Sequence, residues 1–220
     1  LDSRFGPMKL ETISRKDAQV VVLASNNVEG YFSGIFAKDK LVVVAQSEAI
    51  YDKRGLDLAL VLDTTGSRNR TKMTNLKAAA NSLVDELERQ DNDNMRMSVV
   101  PFSQYVNVGK SNGNKNWMGK LSGSKWNGCV GSRASGRNLK AEFKGATFPA
   151  VSVQYCPNEL QPLTSNFKKA KQTISAMKAD GWTYMPAGLI WGYRTLHPDL
   201  PFNEAASARS SVNKTERVLV

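Results

Sequence analysis

Apolar and polar positions alternate along the chain in blocks that mark out its elements. Residues 19–25 (QVVVLAS) and 41–47 (LVVVAQS) are short, Val-rich runs bounded by polar residues and predict β-strands. Between them Tyr31, Phe32, Ile35 and Phe36 recur at helical spacing, which makes a strand–helix–strand unit of the first 54 residues. Residues 1–17 are polar and predict no element. Residues 56–63 (LDLALVLD) read as an apolar strand that ends in a carboxylate, followed by the loop-like TTGSRNR. Met73, Leu76, Ala80, Leu83, Val84 and Leu87 then mark one face of a helix that runs to about Glu88. QDNDN (90–94) is a turn, and MRMSVVPF (95–102) is the next strand. Strand–loop–helix–strand predicts an α/β sheet with parallel strands.

Residues 107–163 break this rhythm. They are rich in Gly, Ser, Asn and Lys, and they hold both cysteines together with Trp117 and Trp126. A stretch this long without periodic pattern reads as an insertion. Regular pattern resumes with Thr164 or Ser165 as helix cap and an apolar stripe of Phe167, Ala170, Ile174 and Met177, ended by Gly181. A further helix runs from about Pro186, a first-turn proline, to Leu196, before His197-Pro198. ERVLV (216–220) predicts a buried strand.

A chain of 220 residues suits one domain with decoration or one domain plus a small module, here 1–54 and 55–220 with the insertion 107–163 in the second. An apolar fraction of 41% excludes global disorder. No apolar run approaches the ~20 residues of a membrane span, and there is no signal peptide. The chain starts at Leu1 without Met and stops at Val220 inside the ERVLV pattern, so both ends read as cut. Cys129 and Cys156 lie in loop-like context, and an even count there predicts a disulfide and an oxidising compartment.

The formal charge of +10 suits a solvated basic surface or an anionic partner such as an envelope polysaccharide. The basic residues are scattered, with small clusters at Arg68/Arg70/Lys72 and Lys168/Lys169/Lys171, and form no nucleic-acid stripe. Trp117 and Trp126 interleave with Lys115, Lys120, Lys125, Arg133 and Arg137 in the manner of a base-stacking platform, yet such rings more commonly pack a loop onto its own domain.

Candidate chemistry gathers at Asp63. In an open α/β sheet, ligands bind beyond the carboxyl ends of the strands, and Asp63 stands at such an end. Thr65 and Ser67 follow at alternate positions, with Gly66 permitting a tight path. One carboxylate and two hydroxyls form a hard oxygen set that suits Mg2+ or Mn2+. Thr183, just before a helix, adds a hydroxyl to the same edge if that helix packs beside the first strand. A plain turn, with Asp63 and Ser67 accepting backbone N–H groups, is the simpler reading of the same letters. A nucleophilic Asp63 is the enzymatic alternative, since the motif also resembles the aspartyl-phosphate loop of haloacid-dehalogenase-type phosphotransferases. That chemistry needs further acidic residues, and the chain has no downstream Asp-Asp pair or Gly-Asp-x-x-x-Asp element. The extra Thr breaks an aspartic-protease Asp-Thr-Gly, and His197 is the one histidine available to any triad.

VLDTTGS (61–67) resembles the first element of the metal-ion-dependent adhesion site of von Willebrand A domains, Asp-x-Ser-x-Ser, with Thr65 for the first Ser. Thr183 matches the later Thr of that site, and the resemblance covers about residues 55–220. LALVLDTTGS, KMTNLKAAANSLVDEL, SVVPFSQYVNVG, NGCVGSR with its later YCP, and GWTYMPAGLIWGYRTL occur in the order seen in TadG-like proteins of the Flp (tight-adherence) pilus-assembly system. Residues 21–49 resemble the segment that precedes the A domain there. The resemblance implies a Rossmann-like von Willebrand A fold with a mostly parallel sheet flanked by helices, C-terminally truncated here, behind a β-rich N-terminal extension. It implies an extracytoplasmic location and an N-terminal membrane anchor absent from this chain. The implied role is pilus assembly or adhesion without catalysis. Asp63, Thr65, Ser67 and Thr183 would hold Mg2+ or Mn2+, and a partner carboxylate would complete the coordination. Two departures stand out. Arg68 replaces the family's Met, with Arg70 close behind, and cations there oppose a metal. The family's last ligand, an Asp just after the strand that ERVLV begins, would lie past Val220. Both departures leave open a structural A domain without metal.

Overall fold

The computed structural model describes residues 9–16, 19–28, 41–50, 55–66, 70–89, 94–120, 125–134, 136–140, 143–199, 201–206 and 215–220. The chain divides into two compact units, Leu1–Lys53 and Arg54–Val220.

The first unit is an antiparallel sheet of β1 (Lys9–Lys16), β2 (Gln19–Val28) and β3 (Leu41–Ile50) in that order. β1 falls where the sequence predicts no element. Its register on β2 shifts between Leu10 and Thr12. Such a bulge destroys the period-two signal that would announce a strand. Leu10 and Ile13 are both exposed, so β1 is carried by its ladder and by local polar contacts such as Ser25 Oγ donating to Glu11 at 2.6 Å. The helix expected around Tyr31–Phe36 lies outside the described residues.

The second unit contains β4 (Gly55–Asp63), α1 (Arg70–Arg89), β5 (Met95–Phe102), β6 (Val106–Asn107), β7 (Cys129–Val130), β8 (Gln161–Thr164), α2 (Phe167–Ala176), α3 (Met185–Leu196) and β9 (Thr215–Leu219). Six strands form one sheet in the order β7-β6-β5-β4-β9, with β8 also paired to β5. β4 lies between β5 and β9, parallel to both. The β5–β6, β5–β8 and β6–β7 pairs are antiparallel, so the sheet is mixed where the sequence pattern and the resemblance imply a mostly parallel one. The reason is connection length. Only residues 103–105 separate β5 from β6, far fewer than the dozen or more that a parallel crossover needs.

Helices cover both faces of this sheet, which places the functional edge at the strand ends. On one face Leu58, Leu60, Leu62, Met97 and Val99 pack with Met73, Val84 and Leu87 of α1 and Ala170 and Ile174 of α2. On the other, Val100 and Phe102 pack with Trp191 of α3 and with apolar residues of the 107–163 segment. That segment is anchored by aromatics: Trp117 meets Phe148 and Phe202 edge-on, with ring centroids 6.1 and 5.9 Å apart. Trp126 is buried and donates its Nε1 proton to the Cys129 carbonyl at 2.7 Å. Neither ring is free to stack on a base. Cys129 and Cys156 form the disulfide expected from their context, with Cα atoms 5.8 Å apart.

Three local expectations are corrected. The cap of α2 is Asn166, whose side chain accepts the Lys169 N–H, while Thr164 Oγ1 accepts the N–H of Asn166 and so sits two residues too early to cap. Gly181 does not end α2, which stops at Ala176 with Met177 as its C-cap. β9 is not a buried strand: Val218 and Leu219 are 40% and 37% exposed, because β9 is the edge strand of the sheet and pairs with β4 alone among the described residues.

Candidate functional site

Asp63 is the last residue of β4, and Phe102 the last of β5, so both strands deliver their loops to one edge. The loops are tied to each other by backbone bonds. The N–H of Thr64 donates to the Phe102 carbonyl at 2.8 Å, and its hydroxyl donates to the same oxygen at 2.9 Å. The segment between α2 and α3 joins them: Asp180 N–H donates to Thr64 O at 2.8 Å, Gly66 N–H to Gly181 O at 2.9 Å, and Tyr184 N–H to Ser103 O at 3.1 Å.

Gly181 makes this closure sterically feasible. Its φ is +76°, in the left-handed region. A Cβ there would stand 3.2 Å from Ser103 Oγ and 3.3 Å from Tyr155 Cβ. The peptide N–H of Gly181 donates to its neighbour's Asp180 Oδ1 at 2.8 Å, which fixes the turn.

The side chains expected to act together are distributed as follows. Asp63 is half-buried, and its Oδ1 accepts the Thr65 N–H at 2.9 Å, a local Asx-type turn. Thr65 is buried, and Thr183 is exposed, one residue before the Tyr184 N–H that binds Ser103. Asp63, Thr65 and Thr183 therefore occupy the same three-loop cluster. Ser67 and Arg68 lie outside the described residues, as does the Arg70 side chain.

Two groups of this cluster escape sequence reasoning. Ser103 is 1% exposed, and its Oγ is buried without a hydrogen-bond partner among the described residues. Asp180 brings a second, exposed carboxylate to the loop that Thr64 and Gly66 hold. Neither residue belongs to a local motif. Ser103 follows a strand and Asp180 precedes a glycine, and only long-range backbone bonds put them beside Asp63.

The donor set is oxygen throughout, which suits a hard divalent cation that retains waters. No group of three or more His, Cys, Asp or Glu side chains among the described residues could hold a metal. A cation at this edge would accordingly rest on few carboxylates and several hydroxyls. An orphaned buried hydroxyl in such a set is the kind of atom that an ion or its water satisfies, and to that extent the residues fit a cation.

No helix among the described residues is long and apolar enough to cross a membrane. No family model matches the chain, and no curated protein matches it. Among solved structures it is similar to the three N-terminal domains of the type V pili tip protein Mfa5 from Porphyromonas gingivalis, at 10% identity and a TM-score of 0.42, over 92% of this chain and 22% of that one. It is similar also to the pilus adhesin RrgA from Streptococcus pneumoniae, at 13% identity and a TM-score of 0.42, over 92% of this chain and 22% of that one. A third is the PilB minor pilin from Streptococcus sanguinis, at 12% identity and a TM-score of 0.36, over 86% of this chain and 43% of that one. The chain thus spans less than half the length of each of these structures.

Proposed function

We propose that residues 55–220 form a von Willebrand A-type recognition domain of the TadG-like kind. In this reading Asp63, Thr65, Ser67 and Thr183 hold Mg2+ or Mn2+, directly or through water. The cation then holds a carboxylate presented by a protein or envelope-surface partner. The setting is extracytoplasmic, in pilus assembly or adhesion. The observation that supports the reading is the set of backbone bonds that ties the loop after β4, the loop after β5 and the segment before α3 to one another.

The chemistry is binding and not turnover. A cation in such a site supplies a Lewis-acid contact for an incoming carboxylate. Asp63 carries the charge, Thr65 and Thr183 complete a hard oxygen surface, and Gly181 keeps the loops close enough to share it. The single histidine lies at the far end of α3 from Thr183, roughly 18 Å away for a helix of this length. There its Nδ1 accepts the Asp199 N–H, away from Asp63. The disulfide agrees with an oxidising compartment.

Calorimetric titration of Mg2+ and Mn2+ into the wild type and Asp63→Ala tests the proposal. Saturable binding in the wild type and none in the variant is the expected result. Absence of binding in a folded wild type would favour the structural domain without metal, the outcome that Arg68 and Arg70 point toward. Trapping of a stoichiometric aspartyl-phosphate or fluoroberyllate adduct at Asp63 would replace the binding role with phosphoryl transfer.

A further inference from the structure

Beside Thr183 the protein opens into a pocket of about 350 Å3, bounded by the loop after β5, the segment after β7 and the first three turns of α3. That volume lies at the lower end of the ~300–1,000 Å3 typical of small-ligand sites.

Its buried wall carries an unusual charge. Arg194, 2% exposed, lines the pocket. One of its terminal amines donates to the backbone carbonyls of Asn138 and Lys140, each at 3.1 Å. Its guanidinium carbon lies 4.7 Å from the Trp191 ring centroid and 4.6 Å from that of Phe148. The Nε is buried and finds no partner among the described residues. A second guanidinium, Arg133, stacks on the same Phe148 ring at 4.4 Å. No carboxylate among the described residues pairs with Arg194. Carbonyl dipoles and aromatic faces offset part of the cost of burying this cation, and an opposite charge is what remains missing.

Aromatic side chains line the pocket too. Trp182 lines the same pocket and is 76% exposed, the most exposed large apolar side chain described, with Tyr184 beside it. Gln104, Ser132 and Asn138 line it as well. Amide and hydroxyl groups both donate and accept, so they match a ligand rich in hydroxyls.

We infer that this pocket binds a hexuronic acid residue of an acidic polysaccharide, with the sugar carboxylate at Arg194 and the pyranose ring against Trp182. Each part of the ligand answers one observation. The carboxylate supplies the charge that Arg194 lacks, in a form a guanidinium binds well. The C–H face of a pyranose covers the exposed indole, and the ring hydroxyls meet the amides. A peptide carboxylate would meet the first need only, since it brings neither a pyranose face for the indole nor ring hydroxyls for the amides. The formal charge of +10 favours approach of a polyanion. The site does not require a metal and stands whether or not Asp63 binds one.

The test is titration of the whole 220-residue protein with tetragalacturonic acid in EDTA, read by tryptophan fluorescence and calorimetry. Parallel titrations use the methyl-esterified tetramer, which keeps the shape and removes the charge, and hexaglutamate. Saturable binding is expected, weakened about tenfold or more by esterification and by Trp182→Ala, with hexaglutamate weaker still. Trp182→Ala changes a surface side chain and keeps the test interpretable even if Arg194→Lys, which retains charge but loses the fork, folds poorly. No saturable binding below about 10 mM would overturn the inference, as would equal binding of the ester or an undiminished affinity in Trp182→Ala. Tighter binding of hexaglutamate would reassign the pocket to acidic peptides.

Discussion

Gly181 shows how much of the candidate site depends on one backbone conformation. Its carbonyl receives the Gly66 N–H, and its left-handed φ brings the loop within reach of Ser103. Gly181→Ala forces a Cβ against Ser103 and Tyr155 in a conformation that alanine disfavours. It should cost about 1–2 kcal/mol in urea denaturation and weaken Mn2+ binding, whereas Gly136→Ala, also at positive φ but with open space around it, should show the backbone cost alone. Arg194 offers a second test at this scale. Burial first, and repulsion from Arg133 second, push its guanidinium well below its ordinary range, down to about 9. Below about pH 9 both folded and unfolded chains hold the proton, so the burial cost is constant there. Above it the unfolded chain binds more protons than the folded one, and stability conferred by this group rises with pH. The unfolding free energy of the wild type relative to Arg194→Met should therefore shift in favour of the wild type above about pH 9. A constant difference would show that the buried guanidinium keeps its proton throughout. Asp63, Thr65 and Thr183 are legible in the sequence because their spacing and flanks form a pattern. Ser103, Asp180 and Arg194 are not, because each matters only through a partner distant in the chain.

At the level of elements, β4 and β5 are joined by more than their ladder. Asp57 and Arg96 are register partners, and the buried Asp57 carboxylate, 0% exposed, receives Arg96 Nε at 2.9 Å and Nη2 at 2.8 Å. Arg96 Nη1 also donates to the Glu204 carbonyl at 2.8 Å, tying a later segment to the two strands. Removing one partner of such a pair leaves a charge stranded. Asp57→Ala should lower the unfolding free energy by about 3 kcal/mol, while a double replacement of Asp57 and Arg96 by apolar residues should cost less. Chemical denaturation of the two variants measures this directly. The same strands and α1 are the elements that the sequence displays most clearly, since each has a full run of period two or 3.6. β6 and β7 have two residues each and β8 has four, too few to show any period. They exist because the 107–163 segment returns along the free edge of β5, a tertiary fact that no local pattern announces.

On the scale of the whole molecule, the long segment between β5 and α2 is a working part of the second unit's core and not an appendage. Its aromatics pack against Trp191 and Phe202, and the Cys129–Cys156 bond closes it across a sequence separation of 27. Replacing both cysteines by alanine should cost about 3–4 kcal/mol by loop-closure entropy, seen as an earlier urea midpoint for the second unit. All three buried clusters lie within residues 54–220 among the described residues. That portion should accordingly fold and keep its near-ultraviolet circular dichroism without residues 1–53. The central claim, that three loops at the carboxyl edge of the sheet form one cation site, is tested most directly by Mn2+-induced paramagnetic broadening of backbone amide signals. Broadening should be strongest at amides near residues 63–66, 103–105 and 180–184 and be abolished by Asp63→Ala. Broadening centred elsewhere, or none in a folded protein at millimolar Mn2+, would contradict it.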